Sequence, residues 1–413
     1  MGCTPQAVIL IYHYYCWLRE FLLTFQYCPR NELSLMLNEK FRMPVIKLGN
    51  PFLPSPDEVS AFLGLPVSPR EKIKWLNASV VKSKLPTDRT LDNISKEGIR
   101  WKSIRQFAWQ LARVFVRKGW SLNVSLPDGG IHKSDLSFWW SHTLKGVQQG
   151  LSSTSGELNL GLLVSYIDKR CVAYQRQLAF IQDAPDINEN NQHELISGYY
   201  LPVLDFTLLS EQEKALVKNW LKSPSELASK ETEQAMLCFC YDFWLSLMSV
   251  IDVMFLEDWD KHYAEYTPSV HAQQYGLFGQ VFNREERTFL GKFFGLIKEQ
   301  TNQTYAQLSE YVVLPVSEYE RNGLLKRDVQ QARFKEWRSG KSLPSVEALS
   351  TFFANMDAGR QGADLLIYAL FMRALDKVGS RSLPDIYTKV GSRSLPDIYT
   401  TSRYQRYFQH YAP

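Results

Sequence analysis

Four helix-start signals recur along this chain and constrain its fold more than any other feature. In each, a serine is followed three positions later by a glutamate, and in three of them a proline comes directly after the serine. The signals begin at Ser55, Ser68, Ser210 and Ser223. The serine side chain accepts a backbone N–H, the glutamate reaches back to the serine N–H, and proline at the first helical position leaves no N–H unpaired. Such capping boxes predict a mainly helical protein.

Hydrophobic periodicity supports the same fold class. Apolar residues recur with a period close to 3.6 in the windows 101–118, 158–181, 233–256, 284–300 and 360–376. Sustained strand alternation is scarce, and the segment 122–131, around Asp128, Gly129 and Gly130, is the only good hairpin candidate. We therefore expect a multidomain, mainly α protein with at most a small β-hairpin.

The length of 413 residues allows two to four domains at roughly 100 to 200 residues per domain. A polar, Asn-rich stretch separates two apolar helical windows near 182–194, and a softer break follows near 301–304. The predicted sections are an N-terminal helical domain, an acidic linker or loop, a central helical domain, a helix-turn-helix-like region and a basic tail. Their bounds are 1–181, 182–194, 195–300, 301–376 and 377–413.

A perfect tandem repeat begins the predicted tail, since residues 377–388 and 389–400 both read KVGSRSLPDIYT. A unit of 12 residues with Gly, Pro and two Ser is too short for a helical solenoid repeat, which needs about 30 residues or more. One interpretation is a duplicated docking peptide. We favour a duplication in an exposed segment that tolerates extra length.

The formal net charge of +4 is concentrated at the end of the chain. The last 37 residues contain six basic and two acidic side chains, so the other residues balance 41 against 41. That distribution excludes a uniformly basic surface. Any site for a polyanion must come from local clustering of charge.

The cysteine content and the hydropathy of the sequence indicate in which cellular compartment the protein is expected. The six cysteines are sparse and lack the dense spacing of a disulfide-stapled secreted domain, which predicts a reducing, cytoplasmic location. The aromatic run 7–18 is too short for a membrane span of about 20 residues, so no span is expected. We interpret the run as a buried amphipathic helix, with a peripheral membrane anchor as the alternative.

No common enzyme motif occurs in the sequence, such as a Walker loop, GxGxxG, HExxH, GxSxG or CxxC. The richest acidic cluster contains Asp258, His262 and Glu265 at i, i+4 and i+7, a spacing that could hold a divalent metal on one helix face. A solvated helix face explains it better, because no completing ligand can be identified elsewhere. The sequence therefore predicts no catalytic residue, metal or cofactor.

A first basic stripe lies within the segment 96–118, which contains seven basic side chains and one acidic side chain. Five residues follow one another at steps of three or four positions along one helix face: Lys102, Arg105, Trp109, Arg113 and Arg117. Guanidinium groups around an exposed indole suit phosphates, with the indole placed to stack on a base or sugar. A solvated face that pairs with acids elsewhere is the equal alternative.

A second basic stripe lies within 326–349, KRDVQQARFKEWRSGKSLPSVEAL. If 326–338 is helical, Arg327, Gln331, Lys335 and Arg338 align on one side, while Val329, Ala332 and Trp337 fall largely on the other. Gly340 then ends the helix and Pro344 helps to start the next one.

This segment resembles the recognition-helix end of phage-repressor-type (XRE-like) helix-turn-helix domains. The residues Tyr305 to Ser309 resemble the first helix of the pair, and Ser345 to Phe353 the helix that follows. The resemblance implies that the stripe residues Arg327, Gln331, Lys335 and Arg338 face the major groove. It also implies that Lys341 and Ser342 meet phosphate.

These patterns predict a helical adaptor or regulator that binds nucleic acid, DNA in particular, through both basic stripes. A second hypothesis is a helical protein-interaction subunit of a larger complex, whose aromatic content of 13% builds partner surfaces as well as core. A third is an enzyme whose site is assembled from residues distant in sequence, around Asp258 and His262.

Overall fold

A computed structural model describes residues 52–65, 160–182, 192–223, 229–262, 270–315, 325–356, 360–380 and 399–412, with isolated positions in 71–89, in 136–144 and at 318. Twelve helices have both of their ends within this part of the chain. They are α1 Pro56–Leu63, α2 Gly161–Gln182, α3 Gln192–Leu204, α4 Glu211–Lys222, α5 Lys230–His262, α6 Val270–Phe282, α7 Phe289–Gln300, α8 Tyr305–Ser309, α9 Lys326–Ser339, α10 Val346–Met356, α11 Arg360–Ser380 and α12 Thr401–Tyr411.

The mainly α prediction is confirmed. Helices account for 79% of the described residues, and no strand occurs among them. The hairpin candidate at 122–131 lies outside the described residues, as does most of the expected linker, residues 183–191. That linker is bounded by the end of α2 at Gln182 and the start of α3 at Gln192.

The capping boxes at Ser55 and Ser210 are both formed. The Ser55 hydroxyl accepts Glu58 N–H at 3.2 Å while the Glu58 carboxylate accepts Ser55 N–H at 2.6 Å. Ser210 and Glu213 repeat the arrangement at 3.2 and 2.8 Å. The other two boxes fall largely outside the described residues. This prediction succeeded because the reciprocal hydrogen bonds of a capping box join residues only three positions apart.

The 33-residue helix α5 forms the axis of the core. Every side chain from 235 to 250 is buried, and α2, α4, α6 and α12 pack around it. Its segment Lys230–Glu257 has the length and mean hydropathy, 1.6, of a membrane span, and 89% of the apolar window is buried inside the protein. A helix that is apolar on all sides is buried on all sides here.

One apolar cluster draws residues from four of the five predicted sections. Phe52, Val203, Leu308 and Tyr404 all belong to it, from the N-terminal, central, helix-turn-helix-like and tail sections respectively. A smaller cluster lies where α3 and α4 pack against the first turns of α5. The described parts of these sections therefore share a core.

The structure differs from the expected basic tail at 377–413. Helix α11 continues through the expected boundary to Ser380, and α12 buries Tyr404, Tyr407 and Phe408 against the core. The prediction of a tail was based on the net charge of this segment. Its buried aromatic residues lie at positions i, i+3 and i+4, so they form one apolar helix face that packs on the core. Two arginines of α12, Arg403 and Arg406, form ion pairs with the Glu213 carboxylate, with N···O distances of 3.0 and 3.2 Å.

Candidate nucleic-acid interface

Helix α9, Lys326–Ser339, carries the second basic stripe and has a sharply defined end. Gly340 adopts a left-handed conformation with φ of 74°, and its N–H bonds to the carbonyls of Glu336 and Trp337. The left-handed region favours glycine because an L side chain is strained there. The predicted helix end at Gly340 is confirmed.

The buried side of α9 consists of Gln330, Phe334 and Trp337. The Phe334 ring stacks on Phe352 of α10 with centroids 5.6 Å apart, and its edge meets Phe294 of α7 at 4.8 Å. These contacts hold α9 against α7 and α10. The sequence assigned Trp337 to this side correctly, but Ala332 is exposed, and the central role of Phe334 was not predicted.

Gln330 binds the residues that directly follow α8. Its amide nitrogen donates to the carbonyl oxygens of Glu310 and Val312, at 3.1 and 2.7 Å. Helix α8 also packs against α9. The start of α9 is thereby held by two elements rather than by its own N-cap, since Leu325 provides no side-chain cap.

Arg327 and Lys335 are exposed along one side of α9, and the half-buried Gln331 lies between them. Neither cation has an acidic partner within ion-pair distance in the described part of the chain, and the same is true of the exposed Lys326. The stripe from position 327 to position 338 extends about 16 Å along the helix. This side of α9 therefore presents uncompensated positive charge and one amide.

Arg338, the last residue of the predicted stripe, is held against the protein. Its guanidinium carbon lies 3.1 Å from the centroid of the Tyr305 ring, and its backbone carbonyl accepts the Thr288 hydroxyl at 2.7 Å. The buried Nε of Arg338 has no hydrogen-bond partner. Its orientation is fixed by stacking rather than left free to follow a groove.

Lys341, just beyond the helix, remains 76% exposed. Its ammonium group lies 3.2 Å from the Glu336 carboxylate, and this hydrogen bond lowers the pKa of Glu336. Ser342 donates to the same carboxylate at 3.3 Å. An exposed pair of this kind contributes little to stability, so Lys341 can exchange Glu336 for another anion at small cost.

The opposite flank of α9 is electrostatically compensated. Arg333 donates to Glu318 at 2.9 Å and lies 3.9 Å from the Glu336 carboxylate. It shares the helix and the charge of the stripe residues but is already paired. Arg333 is consequently a matched control for them.

The first predicted stripe lies outside the described residues. This covers Lys102, Arg105, Trp109, Arg113 and Arg117. The Glu265 position and the side chains of Asp258 and His262 also lie outside them, although α5 extends to His262. Among the side chains that the structure does describe, no group of three or more His, Cys, Asp or Glu is placed to hold a metal ion.

An open groove of about 490 Å³ lies between α2 and the segment after α3. Val164, Val172 and Phe206 form its apolar walls, and Asp168 and Lys169 are its charged residues. Its remaining lining residues are Gly161 and Ser165.

Comparison with known proteins adds no relative, since no protein-family model, curated protein or solved structure matches this chain. A function for this protein is therefore inferred from the residues of α9 and its neighbours.

Proposed function

We propose that this protein is a helical adaptor or regulator that binds nucleic acid, DNA in particular, through the exposed side of α9. The observation that carries the proposal is the uncompensated stripe formed by Arg327 and Lys335 with Gln331 between them. Its opposite side is anchored in an aromatic core by Phe334 and Trp337. A rigid helix with such a face suits docking in the major groove.

The residue types of the stripe suit base and phosphate recognition. Arginine can bind the O6 and N7 acceptors of guanine with two hydrogen bonds, and glutamine can bind adenine in the same manner. Lysines bind phosphate oxygens and fix the register of the protein on the duplex. Arg327 and Gln331 are candidates for bases, and Lys335 and Lys341 for phosphates. The similarity of 305–353 to helix-turn-helix domains supports the same assignment.

The test is fluorescence anisotropy of labelled duplex and single-stranded oligonucleotides between about 50 and 200 mM salt. Replacing both Arg327→Ala and Lys335→Ala should weaken duplex binding, and the slope of log affinity against log salt should shrink by about 0.9 for each phosphate that the variant no longer neutralises. If Arg327 reads a base, its loss costs about 1 to 3 kcal/mol of sequence discrimination.

Arg333→Ala is the control, because it removes one positive charge from the same helix but from the paired flank. We expect it to leave the affinity and the salt slope close to those of the wild type. Absence of binding to either nucleic acid at low ionic strength would overturn the proposal. A stoichiometric protein partner that co-purifies without nucleic acid would instead support the protein-interaction hypothesis.

A further inference from the structure

Two cations from different helices converge on the ring of Tyr305. The Arg338 guanidinium carbon lies 3.1 Å from the ring centroid and the Lys298 ammonium nitrogen lies 5.0 Å from it. The two charged groups are therefore no farther apart than the sum of these distances. We refer to Lys298, Tyr305 and Arg338 as the Tyr305 clamp.

The scaffold around the clamp is rigid. Tyr305 is the first residue of α8, and its ring packs near Phe334 of α9 at 6.3 Å. Thr288 at the start of α7 donates to the Arg338 carbonyl, and a side chain at Gly291 would collide with that carbonyl. Helices α7 and α9 are thus in close backbone contact, which fixes Arg338 relative to Lys298.

No carboxylate of the described residues lies within ion-pair distance of either cation. The nearby Glu299 is occupied, because both of its oxygens accept from Arg284 at 2.8 Å. The buried Nε of Arg338 also lacks an acceptor. Two like charges at this separation repel each other, and an anion that contacts both groups would relieve the repulsion.

The clamp can nonetheless exist without an anion. Lys298 lies in the last turn of α7, and Arg338 lies in the last turn of α9. The C-terminal end of a helix carries partial negative charge, which stabilises a cation placed there. The ring face of Tyr305 adds a second favourable interaction for both groups.

We infer that the Tyr305 clamp is a phosphate-binding site, which takes a backbone phosphate of the nucleic acid bound along α9. This inference rests on the proposed function. It places Arg338 among the phosphate contacts instead of the base contacts, and it adds Lys298, which the sequence did not single out. Free phosphate has the same chemistry, so the experiment has one arm for each source.

The first arm compares duplex binding by the full chain, its Lys298→Gln variant and its Lys292→Gln variant. Lys292 is the matched control, because it lies on the same helix and also faces an aromatic ring, Phe289 at 5.9 Å, while its ammonium group donates to the Phe282 carbonyl at 3.4 Å. Loss of Lys298 should reduce the salt slope by about 0.9, as expected for one phosphate contact. Lys292→Gln should retain the wild-type slope. Equal slopes for wild type and Lys298→Gln overturn the assignment to backbone phosphate.

The second arm distinguishes failure of the clamp from failure of the proposed function. Inorganic phosphate is added to each protein at constant ionic strength, with chloride as the reference, and the melting temperature is recorded. A phosphate-dependent rise in wild type and in Lys292→Gln, but not in Lys298→Gln, supports the clamp even if no nucleic acid binds. In that case the ligand of the clamp is free phosphate and not a backbone phosphate of nucleic acid. No such rise, together with an unchanged salt slope, overturns the clamp.

A third readout does not depend on any substitution. The Nε–H resonance of Arg338 in an NMR spectrum should shift on addition of the duplex or of phosphate, because an anion bound to the same guanidinium group changes the electrostatic environment of this buried donor. An unmoved resonance in the presence of either ligand contradicts the inference.

Discussion

At the scale of single residues, Asp252 is the most unusual group in the described part of the chain. It is fully buried in α5 and accepts four hydrogen bonds. Its donors are Leu277 N–H at 3.1 Å, Phe278 N–H at 3.0 Å, Tyr368 O–H at 2.7 Å and Tyr404 O–H at 2.5 Å. Gly276, with φ of 65°, turns the chain so that these two N–H groups point at the carboxylate, and a side chain there would strike Asp252.

The ionisation of Asp252 links stability to pH. Burial raises its pKa to about 7, and the four donors only partly offset this effect. Since the folded pKa lies above the usual value of 3.8, the folded state binds the proton more tightly than the unfolded state. The contribution to stability is therefore full below about pH 4 and is lost as the pH rises to about 7.

We predict that the free energy of unfolding of the wild type falls by about 2 to 3 kcal/mol from this group between pH 5 and pH 8. Asp252→Asn cannot titrate, so its pH profile should be flatter by that amount, although the variant is less stable overall. Urea unfolding at both pH values measures the difference. Asp376, whose pKa burial raises to about 6, adds a smaller decrease that both proteins share. Parallel profiles for the two proteins would show that Asp252 does not titrate in this range.

At the scale of secondary-structure elements, α12 is tied to the core by hydroxyl groups as well as by apolar contacts. Tyr407 donates to Asp242 at 2.8 Å, and Tyr404 donates to Asp252. Asp242 is also paired with the buried Arg170 of α2. Two carboxylates of α5 thus accept hydrogen bonds from phenol hydroxyls of α12, and these bonds fix the register of the last helix on the central one.

The tyrosines of this region allow a controlled prediction. Tyr404→Phe keeps the ring but removes a hydrogen bond to a buried carboxylate, and we expect a loss of about 1.5 to 3 kcal/mol in the free energy of unfolding. Tyr399→Phe is the control. The hydroxyl of Tyr399 is buried without a hydrogen-bond partner, so its removal should be neutral or stabilising. Chemical denaturation at pH 8, above the Asp252 pKa of about 7, compares them, and equal losses for both variants would contradict the assigned role of Tyr404.

The prediction of helices from local signals succeeded where the signals were self-contained. The boxes at Ser55 and Ser210 and the glycine end at Gly340 depend on residues a few positions apart, so the sequence displays them directly. The exposed side of α9 was also predicted in large part. Stacking of Arg338 on Tyr305 was not, because it joins residues 33 positions apart whose proximity depends on how α8 and α9 pack.

At the scale of the whole molecule, the tandem repeat lies between two elements that meet at one residue. The carboxylate of Asp376 accepts the N–H groups of Phe289 and Leu290 at 2.8 and 2.9 Å. The ring of Tyr399 lies 6.0 Å from that of Phe289. The last turns of α11 and the start of α12 are therefore close in space, although residues 377–400 separate them in sequence.

Deletion of one 12-residue copy should preserve the fold. The same protein results whichever copy is removed, and six residues then replace 381–398, a reach of about 20 Å. That reach suffices because Asp376 and Tyr399 both contact Phe289, and a shorter connection between α11 and α12 costs about 1 kcal/mol less to close. Thermal unfolding should show a melting temperature equal to or slightly above that of the wild type.

The control for the deletion is removal of α12 itself. Loss of Tyr404, Tyr407 and Phe408 exposes apolar core, and at about 1.5 to 3 kcal/mol for each buried side chain the fold should be severely destabilised. A large loss of stability on deletion of one repeat copy would indicate instead that both copies serve the fold.

The sequence by itself determined the helical class, several helix ends and the charge pattern of α9, because these follow from hydrogen bonds and periodicity within a few turns of one chain segment. Only the tertiary structure decided which charges are compensated. Arg333 meets Glu318, Arg403 and Arg406 meet Glu213, and Arg327 and Lys335 meet no acid among the described residues. It also decided that the last helix packs on the core through its aromatic residues, although the segment carries a net positive charge. Charge pairing and burial depend on contacts between distant segments, and no local pattern specifies them.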